Sequence, residues 1–388
     1  MILQILLLLL FLGIFIGLLV WVPWRLRDLF GIEKKRYVFA PVILATVLAI
    51  VFLMLLNFTS NLLVFIVYRI LSVWVGVFFY LICFLAIFEL VNGIVILFKN
   101  ERIPKKIRIP EYISMPKRTA GMIVILLTIL TSTYGVINAY EIEVERVDIE
   151  VDNLNGTVDI AVLADVHIGS VGGKGYLEML VEKTNSLEPD IVLILGDIVD
   201  SDAFLTEDMF SPLKDLEAPA YFVTGNHEIM MDEKELKNIL NRSGVRVMDN
   251  EVIETHGIQL VGLRYMSADD HSGEDSFADQ GDETIKSVLP TFNLSDDSPV
   301  VLMHHSPVGI TYAQEAGIDL YLAGHTHGGA QIFPLTVLVG PLTYDYYKDH
   351  HRYKDMDVYV SEGAGFWFLP MRVGTDTEIT LIRLRGDQ

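Results

Sequence analysis

Residues Ile318–Gly329 read IDLYLAGHTHGG. The run Ile318–Ala323 has the length and composition of a buried strand, and glycines then frame two histidines spaced two apart. Other runs end in the same way. VDIAVLADVH gives out at Asp165 and His167, and DIVLILGDIVD at Gly196–Asp197 with Asp200 following. APAYFVTGNHE ends at Gly225–Asn226–His227, and PVVLMHHSP at His305. Helical segments lie between them near residues 175–187, 232–241 and 308–316. This alternation predicts an α/β core, in which ligands collect beyond the carboxyl ends of the strands. Asp, Asn and His side chains at five strand ends are therefore expected to meet at one point.

Outward from this core the texture changes. The stretch YEIEVERVDIEV, Tyr140–Val151, alternates with one phase slip, as a half-buried strand with a bulge would. The polar stretch 267–284 reads as a mobile surface loop. Before Glu141 the chain is dominated by apolar runs at 2–22, 37–56, 62–98 and 119–139, each long enough to cross about 30 Å of hydrocarbon. A transmembrane domain over 1–140, of about four helices, and a second domain over 141–388 are expected. The run 62–98 contains no Pro or turn cluster and reads as one tilted or protruding helix. Arg69, Glu89 and Asn92 within it read as packing or snorkelling residues rather than a transport pathway. The first run lacks the basic start and cleavage site of a signal peptide and is expected to be retained.

Charge divides the chain likewise. Residues 1–140 hold 13 Lys/Arg and 5 Asp/Glu, so with −21 over all 388 residues the remainder carries −29. An acidic domain lacks the basic footprint of a nucleic-acid binder, and no nucleic-acid partner is expected. Basic residues cluster in Pro23–Arg36 and Lys99–Arg118, which the positive-inside rule places in the cytoplasm. With four spans, the acidic domain then faces outward, on a multi-pass cell-membrane protein. The single cysteine, Cys83, rules out an intrachain disulfide and a thiolate zinc site.

Mixed His, Asp and Asn donors without thiolate suit Mn, Fe or Zn. They are too many for one ion and about enough for two. A two-metal site needs a shared carboxylate and can clamp an in-line phosphoryl displacement, with a metal-bridging hydroxide as the expected nucleophile. Glycines beside the ligands would let backbone come close. His304 and His305 compete for one position. Alternation along the strand sends them to opposite faces.

The set DxH, GDxxD, GNHE, a strand-end His and GHTH resembles the calcineurin-like metallophosphoesterases, in particular their membrane-anchored bacterial and archaeal subgroup. The similarity covers roughly 158–384. The resemblance implies a two-sheet β-sandwich flanked by helices, α-β-β-α. It implies that Asp165, His167 and His327 hold one metal, that Asn226, His305 and His325 hold the other, and that Asp197 bridges them. It also implies that His227 protonates the leaving oxygen or stabilises the transition state, oriented by Asp200. The family's His-x-Pro spacing selects His305 over His304. The chain departs from the subgroup at Ala330, where Gln is usual and Gln331 follows, and at Thr377–Glu378, where Pro-Glu is usual. Arg372 reads as a phosphate contact or as a surface arginine. His256, His271, His350 and His351 fit no block and read as bystanders. The expected function is a membrane-anchored phosphoesterase acting on a phosphomono- or diester, lipid-linked or of the cell envelope. The competing readings are a catalytically silent metal- or phosphate-binding sensor and a transporter with a regulatory domain. Substrate, native metals and oligomeric state stay open.

Overall fold

Long runs of Leu, Ile, Val and Phe satisfy their backbone polar groups internally as helices. The computed structural model describes residues 2–34, 36–55, 62–99, 115–169, 171–269 and 283–386, and it begins with four such helices: α1 (Ile2–Phe30), α2 (Arg36–Leu55), α3 (Leu62–Lys99) and α4 (Lys117–Tyr140). The chain separates into two units, Met1–Phe58 with Ile66–Tyr134, and Gly135–Gln388 with Thr59–Phe65.

In the first unit, Val22 and Leu29 of α1 pack with Leu85 of α3 and with Ala120 and Val124 of α4. Helix α3 is continuous, as its composition predicts. Helix α1 runs through Pro23 to Phe30, so Arg25 and Arg27 lie on a helix and not in the expected loop. Arg25 donates both to Asp28, one turn on, and to Glu89 of α3. Glu89 is thus neutralised by a neighbouring helix, which suits packing. Among the described residues, Phe65–Lys99 and Lys117–Tyr140, of 35 and 24 residues, are long and apolar enough to cross a membrane.

Among its described residues the second unit contains twelve strands: β1 (Ile142–Val151), β2 (Thr157–Leu163), β3 (Ile191–Ile194), β4 (Ala220–Phe222), β5 (Val245–Val247), β6 (Glu251–Thr255), β7 (Ile258–Gly262), β8 (Val300–Met303), β9 (Leu320–Ala323), β10 (Asp349–Tyr353), β11 (Met356–Val360) and β12 (Thr377–Gly386). Its helices are α5 (Lys174–Asn185), α6 (Glu207–Phe210), α7 (Glu233–Arg242), α8 (Ile285–Val288), α9 (Ile310–Glu315) and α10 (Leu335–Thr343). The strands form two six-stranded mixed sheets, ordered β1-β12-β2-β3-β4-β5 and β10-β11-β9-β8-β7-β6. Strands β2 to β5 are mutually parallel, as are β7, β8, β9 and β11.

Alternation assigns the faces. Val301 and Met303 of β8 join Ile160, Val162, Leu193 and Leu322 in the core between the sheets. Val300 and Leu302 turn the other way, toward Ile285 of α8 and Ile310 of α9. Each fully buried aliphatic side chain contributes about 1.5–3 kcal/mol, and a slip of one residue would forfeit both faces together. The bulge expected in β1 is absent. β1 pairs with β12 in unbroken parallel register from Ile142↔Thr377 to Val151↔Gly386. As an edge strand it is paired on one side only, which leaves room for both Glu145 and Arg146 to be exposed. Arg383 of β12 chelates its cross-strand neighbour Asp159 at 2.7 and 2.6 Å.

The last turn of α4 belongs to this second unit. The Arg372 amide donates to the Gly135 carbonyl at 2.9 Å, Asn138 Nδ2 to the Thr375 carbonyl at 3.0 Å, and Thr377 Oγ1 to the Ala139 carbonyl at 2.9 Å. Tyr140 packs edge-on against Phe366, ring centroids 5.0 Å apart. Most of the expected surface loop, 270–282, lies outside the described residues.

Candidate metal centre

The parallel strands of both sheets deliver their carboxyl ends to one place. Asp165 and His167 follow β2, Asp197 follows β3, Asn226 and His227 follow β4, His305 follows β8, and His325 and His327 follow β9. The structure brings all of them together. Asp165, His167 and His327 present ligand atoms within 4.8 Å of one another, as do Asp197, His305 and His325, and also His167, Asp197 and His227. Asp197 Oδ2 stands between the groups, 3.3 Å from His305 Nε2 and 3.8 Å from His167 Nε2. Asn226 Oδ1 lies 3.2 Å from His305 Nε2.

His305 and not His304 enters the cluster. The His305 Nδ1–H donates to the Leu195 carbonyl at 2.6 Å, which leaves Nε2 aimed inward. His304 points away, with Nδ1 within 2.7 Å of the Ser306 carbonyl and 3.0 Å of the Tyr321 hydroxyl. Of the expected bystanders, His350 pairs with Asp357 at 2.7 Å and His351 Nε2 meets the Lys348 carbonyl at 2.7 Å, while His256 meets Thr255 Oγ1 at 2.9 Å. His271 lies outside the described residues.

Local backbone is bent to this purpose. Asp165, His167, Asp197, His325 and His327 all have positive φ, between 48° and 71°. An L-residue there costs roughly 1–2 kcal/mol, and such strain persists only where the surroundings enforce it. Here they do: the His167 amide donates to the Asp197 carbonyl at 2.9 Å, and the His325 amide to Asp165 Oδ2 at 2.8 Å. Glycine is required at two of the crossings. A Cβ on Gly225 would lie 2.3 Å from Asp197 Oδ1, and one on Gly324 2.5 Å from Asp165 Oδ2.

Two sequence-based assignments are corrected. Asp200 does not orient His227. Its Oδ1 accepts from His167 Nδ1 at 2.9 Å, because the turn after β3 runs alongside the one after β2. It thereby holds a donor imidazole in place, as carboxylates commonly do behind histidine ligands. Arg372 is neither a surface residue nor placed to meet phosphate. It is 0% exposed, and its guanidinium donates to the carbonyls of Glu362, Gly363 and Gly365 at 2.7, 3.1 and 2.5 Å. It braces the loop after β11, whose Gly365 lies against Val166.

Glu228, the fourth residue of GNHE, has a task that its place in the sequence does not reveal. Its buried carboxylate accepts the amides of Gly225, Asp197, Ile198 and Val199 at 2.7, 2.8, 2.9 and 3.4 Å. It staples the turn after β3 to the turn after β4. Burial, with the charge of Asp197 adding to it, pushes the Glu228 carboxyl up to about 7. The two departures from the subgroup pattern also have places. Gln331 exchanges two hydrogen bonds with the Trp367 backbone, at 2.5 and 2.8 Å, and Glu378 accepts from Tyr359, Ser361 and the Glu362 amide.

The electrostatics fit a cation site. Two carboxylates, Asp165 and Asp197, are buried side by side. Burial, opposed by His305 and His167 and reinforced by Asp197, raises the Asp165 pKa. Burial also acts on Asp197, but His305, His227 and His167 outweigh it and hold that carboxyl well below its usual range. Burial and the neighbouring His167 and Arg372 hold His327 well below the usual imidazole value. Asp165 Oδ1 and His327 Nδ1 are buried with no hydrogen-bond partner. His167 Nε2 and His327 Nε2 face each other at 3.1 Å, as do His325 Nδ1 and His305 Nε2. Nitrogen and oxygen donors converging on common points, one carboxylate oxygen unpartnered, are what a pair of divalent cations would require.

The model of the family described as calcineurin-like phosphoesterase matches residues 158–329, which takes in every donor just described. The chain carries a calcineurin-like phosphoesterase domain. An uncharacterized metallophosphoesterase of Helicobacter pylori is 31% identical over 62% of this chain and 64% of that protein. A transmembrane protein with a metallophosphoesterase domain from Danio rerio is 27% identical over 80% of this chain and 72% of that one. This chain spans less than two thirds of the length of the Helicobacter and Campylobacter relatives it matches. Among solved structures, a dimetal phosphatase from Danio rerio aligns with 54% of this chain and 88% of that one, at 13% identity and a TM-score of 0.39. The family assignment rests on the sequence matches and the site. The phosphoesterase domain thus holds its donors at the edges of two facing sheets, with His227 half-exposed at the mouth.

Proposed function

We propose that this protein is a membrane-anchored, dinuclear metal-dependent phosphoesterase that hydrolyses a phosphomono- or diester. The observation that carries the reading is the convergence of Asp165, His167, Asp197, Asn226, His305, His325 and His327 from five strand ends, with Asp165 Oδ1 unpartnered. Asp165, His167 and His327 would hold one ion, Asn226, His305 and His325 the other, with Asp197 shared. Two divalent ions bound there supply positive charge that polarises the phosphoryl oxygens and acidifies water. His227 is the group left to act on substrate. Its amide is fixed by Asp197 Oδ1 at 2.9 Å, its ring stands 4.9 Å from that of His167, and its exposure allows it to pass a proton to the leaving oxygen. Asp200 and Glu228 position the donors. The test is turnover of an aryl phosphodiester and monoester by the detergent-purified full chain with Mn²⁺. Stoichiometric metal without turnover on a broad phosphoester panel would favour a silent sensor. Proteoliposome flux insensitive to Asp197→Ala would favour a transporter.

Metal uptake is expected to be proton-linked. Burial lowers the His305 pKa, but Asp197 and Asp165 outweigh it and raise it to about 10, and Asp200 outweighs burial to raise that of His167. At neutral pH, without ions, His305 carries a proton that a cation must displace. Apparent affinity therefore falls as pH falls. Calorimetry in two buffers of different ionisation enthalpy should show net proton release, and identical heats in both would contradict it.

The multi-pass anchoring and outward orientation follow from the basic residues flanking the helices and belong to the same proposal. On a Cys83→Ser background, Lys234→Cys on α7 should react with an impermeant thiol reagent in intact cells. Labelling only after lysis would place the domain in the cytoplasm.

A further inference from the structure

Among the described residues of the second unit, most of the large apolar side chains left exposed sit on α10 or on the segments hydrogen-bonded beside it. Phe333 is 50% exposed, Val337 56%, Leu338 54%, Leu342 87% and Trp367 49%. The stretch Ala330–Tyr344 carries no charged residue, nor does Gly363–Met371, within a domain that is otherwise strongly acidic. Helix α10 therefore does not follow the rule for a surface helix, whose outer face is polar.

What covers this face is indicated by what adjoins it. The Phe333 amide donates to the Val373 carbonyl at 2.7 Å, and the Arg372 amide to the Gly135 carbonyl of α4 at 2.9 Å. Gln331 clamps the Trp367 backbone, and Asn138 of α4 binds the Thr375 carbonyl. The end of an apolar helix of membrane-spanning length, the α10 face and Trp367 thus hang on one segment, residues 371–375. Ile137, in that same last helical turn, is 61% exposed. Tyr140 packs against the buried rings of Tyr176 and Phe366, which fixes this helix end to the domain. Trp367 also meets His227, ring centroids 6.1 Å apart. The apolar face therefore runs from the emerging helix to the mouth of the metal centre.

We propose that Phe333, Val337, Leu338, Leu342 and Trp367 seat in the lipid surface, so that the phosphoester reaching His227 is the headgroup ester of a membrane lipid. The statement about substrate rests on the phosphoesterase reading, and the statement about docking does not. An exposed apolar face without charged residues marks an interaction site.

Two measurements on the full chain test it separately. On a Cys83→Ser background, Leu342→Cys is labelled with an environment-sensitive dye and placed in phosphatidylcholine–phosphatidylglycerol nanodiscs. Blue-shifted emission, at least half quenched by lipids carrying a nitroxide on the acyl chain, is expected, while the same dye at Lys234→Cys stays unquenched. Water-like, unquenched emission at 342 overturns docking. If it comes with a concentration-dependent dimer in sedimentation, the face belongs to a second copy. In the second measurement, Leu338→Glu with Leu342→Glu should cut turnover of phosphatidic acid or phosphatidylglycerol in vesicles tenfold or more. Hydrolysis of water-soluble p-nitrophenyl phosphate esters should stay unchanged. Equal loss on both substrates overturns the lipid-substrate inference. Absence of wild-type turnover on every ester defeats the phosphoesterase reading while the quenching result stands.

Discussion

Asp197→Asn is expected to abolish metal-dependent phosphoester hydrolysis, lowering kcat/KM by more than about 10³-fold while leaving the fold intact. Removing a single oriented donor in an active site costs about 10²–10³-fold, and even a residue behind a ligand is worth 10–100-fold in metal affinity. Asp197 does more than either, since its Oδ2 faces His305 at 3.3 Å and His167 at 3.8 Å. The amide keeps an oxygen to accept the His227 N–H, now 2.9 Å from Oδ1, so the turn after β3 has no reason to unfold. A second readout separates lost metal from lost shape. At 100 times its Kd a ligand stabilises its protein by about 2.7 kcal/mol, so Mn²⁺ should raise the melting temperature of the wild type and not that of the variant. A variant that binds metal stoichiometrically and turns over normally would remove Asp197 from the centre of the site.

Glu228→Ala is expected to cost roughly 3–5 kcal/mol of stability, because a buried donor left without its acceptor costs about 1–3 kcal/mol. Four amides now converge on this carboxylate, from Gly225, Asp197, Ile198 and Val199. Solvent entering the vacated space would recover part of the loss, which keeps the figure below a simple sum. Glu228→Gln retains one acceptor oxygen and should unfold closer to the wild type, yet still lower turnover, since an NH₂ group would face backbone donors and push the turns after β3 and β4 apart. Calorimetric unfolding of the three proteins in the same detergent decides. An unfolding temperature unmoved by Glu228→Ala would mean that these turns hold themselves.

Residues that act through their neighbours in sequence were legible. The apolar run ending in GHTHGG placed His325 and His327 after a strand, and β9 ends at Ala323. Strand alternation separated His305 from His304, and the two do point apart. The unbroken apolar stretch 62–98 predicted one helix, and α3 is one helix. The bulge expected in β1 failed because a phase slip in the pattern is local, whereas register is set by the partner strand, here β12 from the far end of the chain. Arg372 failed for a related reason. An arginine between Met371 and Val373 looks like any other in sequence, and only the return of the chain around Glu362–Gly365 buries it under three carbonyls. Helix α10 is not legible in the sequence, since a short run with Pro341 inside has neither clear periodicity nor caps.

The sequence alone therefore determined which side chains could bind cations and that they would lie at the carboxyl ends of strands, because strand periodicity and glycine-bounded turns are encoded within about ten residues. It also determined that apolar, span-length segments precede an acidic α/β domain. The tertiary structure decided which carboxylate serves which imidazole: Asp200 lies 33 positions from His167, and Glu228 joins turns 31 positions apart. It decided, too, that an apolar face adjoins the mouth of the site. Those choices depend on how separate strands are laid side by side, and the two sheets are aligned by burying a shared core whose contacts carry no local signature in the chain.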